Sequence, residues 1–285
     1  MLGKLLKYEF KNTYKVILLL LGAVALATII GFISLQSPLW DSLSGRNRYS
    51  DNLAADLFSI MSVFAIFFYI IMLVGVVYGA FIYLVVRFYK TMYTDEGYLL
   101  HTLPVTKHQI LISKIFVSSI WLYLIYIAMY ASLAFFIFSL INVFTSESMW
   151  MLPYEFRDLF QDLGGFIHVS GELVSFLVLS VLAVPASVIT FYGAVSMGQL
   201  FSKHRVLMAI VSYIAIMVVS SVLRTVLQGI LGAIALASTS YIQSYEDFEV
   251  YMLAATNSQL IASLLVAAGC YIASYYITSK NLNLN

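Results

Sequence analysis

Six runs of twenty or more almost uncharged, apolar residues divide this sequence, over positions 16–35, 57–86, 115–144, 173–200, 206–237 and 259–278. A hydrocarbon core about 30 Å thick needs about 20 helical residues to cross it. In lipid every backbone N–H and C=O must also be satisfied inside the protein. Runs of this length and number point to an all-α membrane protein with six transmembrane helices. Charge content agrees: 10% of the residues are charged and 62% are hydrophobic, against roughly 25% charged in a soluble domain. A chain this apolar could not cover itself with polar groups in water.

Before the first run, Lys4, Lys7, Lys11 and Lys15 recur at helical spacing, with Leu2, Leu5, Leu6 and Phe10 between them. This predicts an N-terminal amphipathic helix in the membrane interface, leading into the first span. Ala25-Leu26-Ala27 has the small-residue pattern of a leader cleavage site, but the run continues through it into Ile29, Ile30 and Phe32, so it is read as a span. The second run exceeds the bilayer requirement and predicts a helix that tilts or projects beyond the membrane. Between the third and fourth runs, Leu152, Phe156, Leu159, Phe160 and Leu163 share one helical face, with Glu155, Asp158, Gln161 and Asp162 opposite. That pattern, with Pro153 at its start and Gly164 at its end, predicts a short surface helix. Pro185 falls inside the fourth run, where a spanning helix tolerates it. Arg224 and Gln228 interrupt the fifth. Two readings fit there: one long helix, or a span over 206–226 followed by a re-entrant helix over 227–237. The segment 238–258 reads as a polar connection. No internal repeat is visible, and residues 1–285 read as a single transmembrane domain.

The lysines and arginines orient the chain. With the N-terminus inside, Lys4, Lys7, Lys11, Lys15, Arg87, Lys90, Lys107, Lys114, Lys203, Arg205 and Lys280 are cytoplasmic, and only Arg46, Arg48, Arg157 and Arg224 are outside. Acids distribute the other way, with only Glu9, Asp95 and Glu96 inside. The expectation is a multi-pass protein of the plasma membrane with both termini in the cytoplasm.

Catalytic patterns are missing. There is no Gly-x-x-x-x-Gly-Lys-Ser/Thr loop to cradle phosphates and no His-Glu-x-x-His zinc motif. Nor is there a Gly-x-Ser-x-Gly nucleophile. His101 and His108 share one loop at no metal-ligand spacing, while His168 and His204 are isolated. Cys270 stands alone in the last run and reads as a small core residue. The chain is therefore expected to be no enzyme, to carry no cofactor or metal, and to bind no nucleic acid. Charged or strongly polar side chains within a span mark function by default, and Arg224 and Gln228 are the candidates. Four residues apart, they share a helix face, either near the outer interface or along a substrate path. Gly75-x-x-x-Gly79 is a helix-packing motif, serving a contact within the chain or between subunits.

The most informative segment is 91–114, TMYTDEGYLLHTLPVTKHQILISK. Thr94 suits a helix start, with Asp95 and Glu96 favouring the dipole of its first turn. The helix would hold Thr94, Asp95, Glu96, Gly97, Tyr98, Leu99, Leu100 and His101, with Leu103-Pro104 stopping it. Thr106 with Gln109 then fits a capping box opening the third span. The product is a short helix held crosswise between two long ones, an element with no use in lipid and a clear use against a rigid protein partner.

This stretch resembles the corresponding loop in permease subunits of ABC-2-type ABC transporters of Gram-positive bacteria. The opening MLGKLLKYEFK and the ending YYITSKNLNLN are similar too. The resemblance implies export or flippase-like movement of an amphipathic substrate such as an antimicrobial peptide, drug or lipid. It implies ATP and Mg on a separate cytoplasmic ATPase subunit that grips residues 94–101 as a coupling helix. It also implies a second permease subunit, the same chain or a related one. The rival reading is a membrane scaffold or sensor that uses the same loop to dock a cytoplasmic partner.

Overall fold

The computed structural model describes residues 2–43, 53–94, 96–97, 102, 104–145, 171–201, 203–238 and 245–280. These form α1 (Leu2–Ser34), α2 (Pro38–Leu43), α3 (Leu53–Tyr93), α4 (Lys107–Thr145), α5 (Gly171–Gly198), α6 (Arg205–Ser238) and α7 (Tyr245–Lys280), with no strand among the described residues. All except α2 are long and apolar enough to cross a membrane. The architecture is therefore that of a multi-pass helical membrane protein.

Several boundaries differ from the sequence reading. The lysine-bearing start and the first span form one unbroken helix, not a separate interfacial helix followed by a span. At 41 and 39 residues, α3 and α4 are each about 60 Å long by the 1.5 Å helical rise. That is twice the hydrocarbon thickness. α6 runs unbroken from Arg205 through Ser238, so it is one long helix and does not break near residue 226 into a re-entrant piece. α7 begins at Tyr245, inside what reads as a polar connection. Residues 245–258 contain no glycine or proline and are rich in helix formers, and Glu246, Asp247 and Glu249 suit the positive end of a helix dipole. The surface helix expected around 152–163 lies outside the described residues.

Helix starts follow local chemistry. Ser37 Oγ accepts from the Leu39 N–H at 3.3 Å, placing Pro38 in a first turn that needs no N–H. Thr106 Oγ1 accepts from the Gln109 N–H at 3.3 Å, as expected of an N-cap. Inside the helices, hydroxyls such as those of Ser119, Ser139, Ser187 and Thr278 donate to carbonyls three or four residues back. Lipid offers no other acceptor.

The chain divides into two compact units. The first comprises Met1–Lys11, Tyr83–Ile120 and Val169–Asn285, and the second Asn12–Ile82 and Trp121–His168. In the second unit, Tyr69 is fully buried and stacks on Phe136 with centroids 4.8 Å apart. Both rings lie 3.2 Å from where a Cβ on Gly31 would stand. Thr28 Oγ1 donates to the Val24 carbonyl at 2.7 Å. Its one hydrogen being committed, Ser132 must donate to Thr28 at 2.7 Å, and Tyr69 to Ser132 at 3.0 Å. Each hydroxyl of this relay donates once, and none is stranded.

In the first unit α5, α6 and α7 pack against one another. A Cβ on Gly193 would stand 2.6 Å from Cys270 Cβ, and one on Gly198 would stand 2.7 Å from Ala209. These glycines set how closely α5 meets α7 and α6. Gly75 and Gly79, the expected packing pair, meet no atom within 4 Å of a built Cβ. The close helix contacts fall at Gly31, Gly193 and Gly198 instead.

Candidate functional site

The polar groups that flank segment 94–106 form a cluster at one end of the first unit. Glu9 of α1 accepts from Lys114 Nζ of α4 through Oε1 at 2.6 Å, and from Arg87 Nη2 of α3 through Oε2 at 3.3 Å. Lys114 Nζ also donates to Thr91 Oγ1 at 2.6 Å, and Arg87 Nη1 to the Tyr83 hydroxyl at 3.3 Å. The Lys114 side chain is 4% exposed, and those of Arg87 and Glu9 are 14% exposed. Two cations held this far from water need the carboxylate, because an uncompensated buried charge is strongly unfavourable. Glu9 is therefore the pin that fixes three helices around one point.

Further ties surround it. Tyr192 of α5 stacks on Phe88 of α3 with centroids 3.9 Å apart and planes 6° from parallel, and its hydroxyl meets Ser118 Oγ at 2.6 Å. Tyr93, the last residue of α3, donates to Ser196 Oγ at 2.8 Å. Lys107 Nζ donates to the carbonyls of Thr278 and Ser279 at 2.9 and 3.2 Å. Carbonyls at a helix C-terminus lack intrahelical donors and sit at the negative end of the dipole, so this ammonium closes the end of α7. The Tyr271 hydroxyl meets His108 Nδ1 at 2.5 Å. The start of α4 and the end of α7 are thereby held together. Glu9, Arg87, Lys107 and Lys114, which the charge pattern puts on one side of the membrane, share one end of the unit.

Segment 94–106 emerges from this clamp. Thr94 Oγ1 donates back to the Lys90 carbonyl at 2.5 Å, and the Gly97 N–H donates to the Thr94 carbonyl at 2.7 Å. A Cβ on Gly97 would stand 2.5 Å from the Met92 carbonyl oxygen, so only glycine allows the chain to double back there. Glu96 is exposed. Asp95, Tyr98, Leu99, Leu100 and His101, the remainder of the expected coupling helix, lie outside the described residues.

Arg224 is exposed and Gln228 half-buried on α6, and neither lines the cavity beside Val206 and Ala209 or the one beside Ile216 and Ser220. Among the described residues no group of three His, Cys, Asp or Glu could hold a metal ion. Sequence reasoning missed the Glu9 cluster because it treated each charge as a topology marker. One signal was available: Glu9 is the only acid before Asp41, set among four lysines. An isolated carboxylate on a basic helix is a candidate for internal pairing.

Helices, clamp and emerging loop together define a multi-pass membrane protein with a structured polar end. Compared with known protein families, with characterised proteins and with solved structures, the chain matches none.

Proposed function

We propose that this chain is the permease subunit of an ABC-2-type exporter, moving an amphipathic substrate outward under the power of a separate ATPase. One observation carries the proposal. Segment 94–106 leaves and re-enters the helices through a buried ionic clamp that joins α1, α3 and α4. A push on such a segment moves three helix ends together, as a nucleotide-driven transporter requires and a plain turn does not. In this reading residues 94–101 are the coupling helix, the clamp end faces the cytoplasm, and ATP and Mg are handled by the partner subunit. A second permease subunit, identical or related, completes the pore. The substrate classes remain those implied by resemblance: antimicrobial peptides, amphipathic drugs or lipids.

The test begins with whether an ABC ATPase is encoded beside it, whose absence would favour the scaffold; the two chains are then co-expressed, and co-purification and substrate-stimulated ATP turnover are measured. Glu96→Lys places a cation at a helix start, a local cost of about 0.3–1 kcal/mol. It also reverses a contact charge, and loss of a buried interfacial pair costs about 2–5 kcal/mol. The second effect is larger, so this variant is expected to insert normally and to lose most of its bound ATPase. If alanine across 95–100 leaves co-purification and turnover unchanged, the coupling role is wrong. Co-purification with a cytoplasmic partner that has no ATPase activity would instead favour the scaffold or sensor.

A further inference from the structure

The last three apolar runs carry Ser187 and Thr190 in the fourth, Ser220 in the fifth, and Gln259 and Ser263 in the sixth. In a membrane helix such side chains ordinarily bond a neighbouring helix, as Thr28, Tyr69 and Ser132 do in the second unit. These five do not. The Ser187, Thr190 and Ser263 hydroxyls donate to carbonyls of their own helices, those of Val184, Ser187 and Leu260, at 2.7, 2.7 and 2.9 Å. The side chains of Ser220 and Gln259 have no hydrogen-bond partner among the described residues. All five instead line one cavity of about 140 Å³ between α5, α6 and α7 in the first unit, whose other walls are apolar or aromatic. Met217 on its wall is 54% exposed and Gln259 is exposed, so the cavity opens to the outside of the helices. A hydroxyl has one hydrogen and two lone pairs. With the hydrogens of Ser187, Thr190 and Ser263 committed, the cavity offers three oxygens that can only accept, beside two groups that can also donate. Hydrocarbon supplies no donor to meet them.

We infer that this cavity binds the hydroxyl or amide head of an uncharged amphiphile drawn from the bilayer, the head donating to the acceptor oxygens and its apolar part meeting the apolar walls. A cation is disfavoured, because no acid lines the cavity and an unpaired charge at membrane depth is expensive. A bare metal ion would also leave most of the volume empty, since about 10–15 Å³ suffices for a water-sized species. A head that only accepts, such as an ether, finds three of the five groups unable to donate to it. Water alone would satisfy the oxygens and leave the apolar walls wetted. The inference concerns binding, needs only that the chain spans a membrane, and stands whether or not the chain transports anything.

The test is photolabelling of the full chain in mild detergent with a diazirine-bearing octanol and with its methyl ether, which accepts hydrogen bonds but cannot donate one. Adducts are located by peptide mass spectrometry. One hydrogen bond in this setting is worth about threefold, so the alcohol is expected to label the peptides spanning 179–190 and 213–220 at least about threefold more than the ether does. Excess unlabelled octanol is expected to suppress that labelling. Ser187→Ala combined with Thr190→Val removes two acceptors with little change of shape, and is expected to remove most of the alcohol's excess. Ser180→Ala is the control. Its hydroxyl donates in the same way, to the Phe176 carbonyl at 2.8 Å, from the same helix but outside the cavity, and its loss is expected to leave the excess unchanged. Labelling by the ether, expected to be equal in all three proteins, reports that the fold is intact. Equal labelling by alcohol and ether in the unaltered chain overturns the inference and leaves a cavity that holds water. So does an excess that octanol does not suppress, one that survives the double change, or one lost equally with Ser180→Ala.

Discussion

The two compact units hold their helices with different chemistry. In the first, Glu9, Arg87 and Lys114 pair through ions, and Lys107 closes a helix end. In the second, the corresponding link is the neutral relay Tyr69, Ser132, Thr28 and the Val24 carbonyl. The positions explain the contrast. Arg87 and Lys114 border apolar runs and Glu9 precedes one, whereas Thr28, Tyr69 and Ser132 lie well inside theirs. Charge at membrane depth is expensive, while a hydroxyl relay joins three helices and leaves no donor unpaired. The same task, fixing α1, α3 and α4, is thus met with buried ion pairs at the borders of the apolar runs and with hydroxyls well inside them.

The largest effect expected from breaking this contrast is at Glu9. Glu9→Ala removes the carboxylate to which two largely buried cations, Arg87 and Lys114, both donate, and such a loss costs about 3–5 kcal/mol. Unfolding of the purified chain in detergent would measure it. Adding Lys114→Met should recover part of the loss, since one of those cations is removed. A loss below about 1 kcal/mol would mean that the cluster behaves as a surface pair, and the contrast would collapse.

Next is Gly193→Ala, which drives a methyl group into Cys270 and should cost about 1–3 kcal/mol as overpacking. Cys270→Gly in the same chain removes the opposing atoms and should restore most of it. Failure of that rescue would show that the glycine serves backbone geometry and not the α5–α7 contact.

A smaller effect is expected at Ser132. Hydrogen bonds between membrane helices average about 0.6 kcal/mol and reach about 1.7. Ser132→Ala should fall in that range. A loss as large as that of Glu9→Ala would erase the distinction between the units. Smallest of all should be Arg224→Gln, within about 0.5 kcal/mol, because Arg224 is exposed on α6, a helix none of whose most apolar eighteen residues is buried.

The six long helices were legible because a bilayer imposes a length and a composition that 16–35 or 259–278 could hardly satisfy otherwise. The true ends were less so. Hydropathy marks where lipid stops, and a helix continues as long as its residues allow, as 245–258 shows. The Thr106 cap was readable because it is a local rule acting over three residues. The Glu9 clamp was not, because its members are 78 and 105 positions apart and nothing in the local pattern selects Lys114 from the other lysines. Glycine spacing was less informative about contacts within the chain for a related reason. The motif at Gly75 and Gly79 says that a close approach is allowed, while Gly31, Gly193 and Gly198 are where a neighbour makes one.

The crossing of α5 and α7 gives the chain a reporter of its own. Cys270, the single thiol, is 4% exposed and has its sulfur 3.1 Å from where a Cβ on Gly193 would stand. A small alkylating reagent can reach that sulfur only while the two helices are apart. The rate at which the unaltered protein is labelled therefore counts how often they separate, and any condition that loosens or tightens this crossing should be visible as a change in that rate, without a single engineered residue.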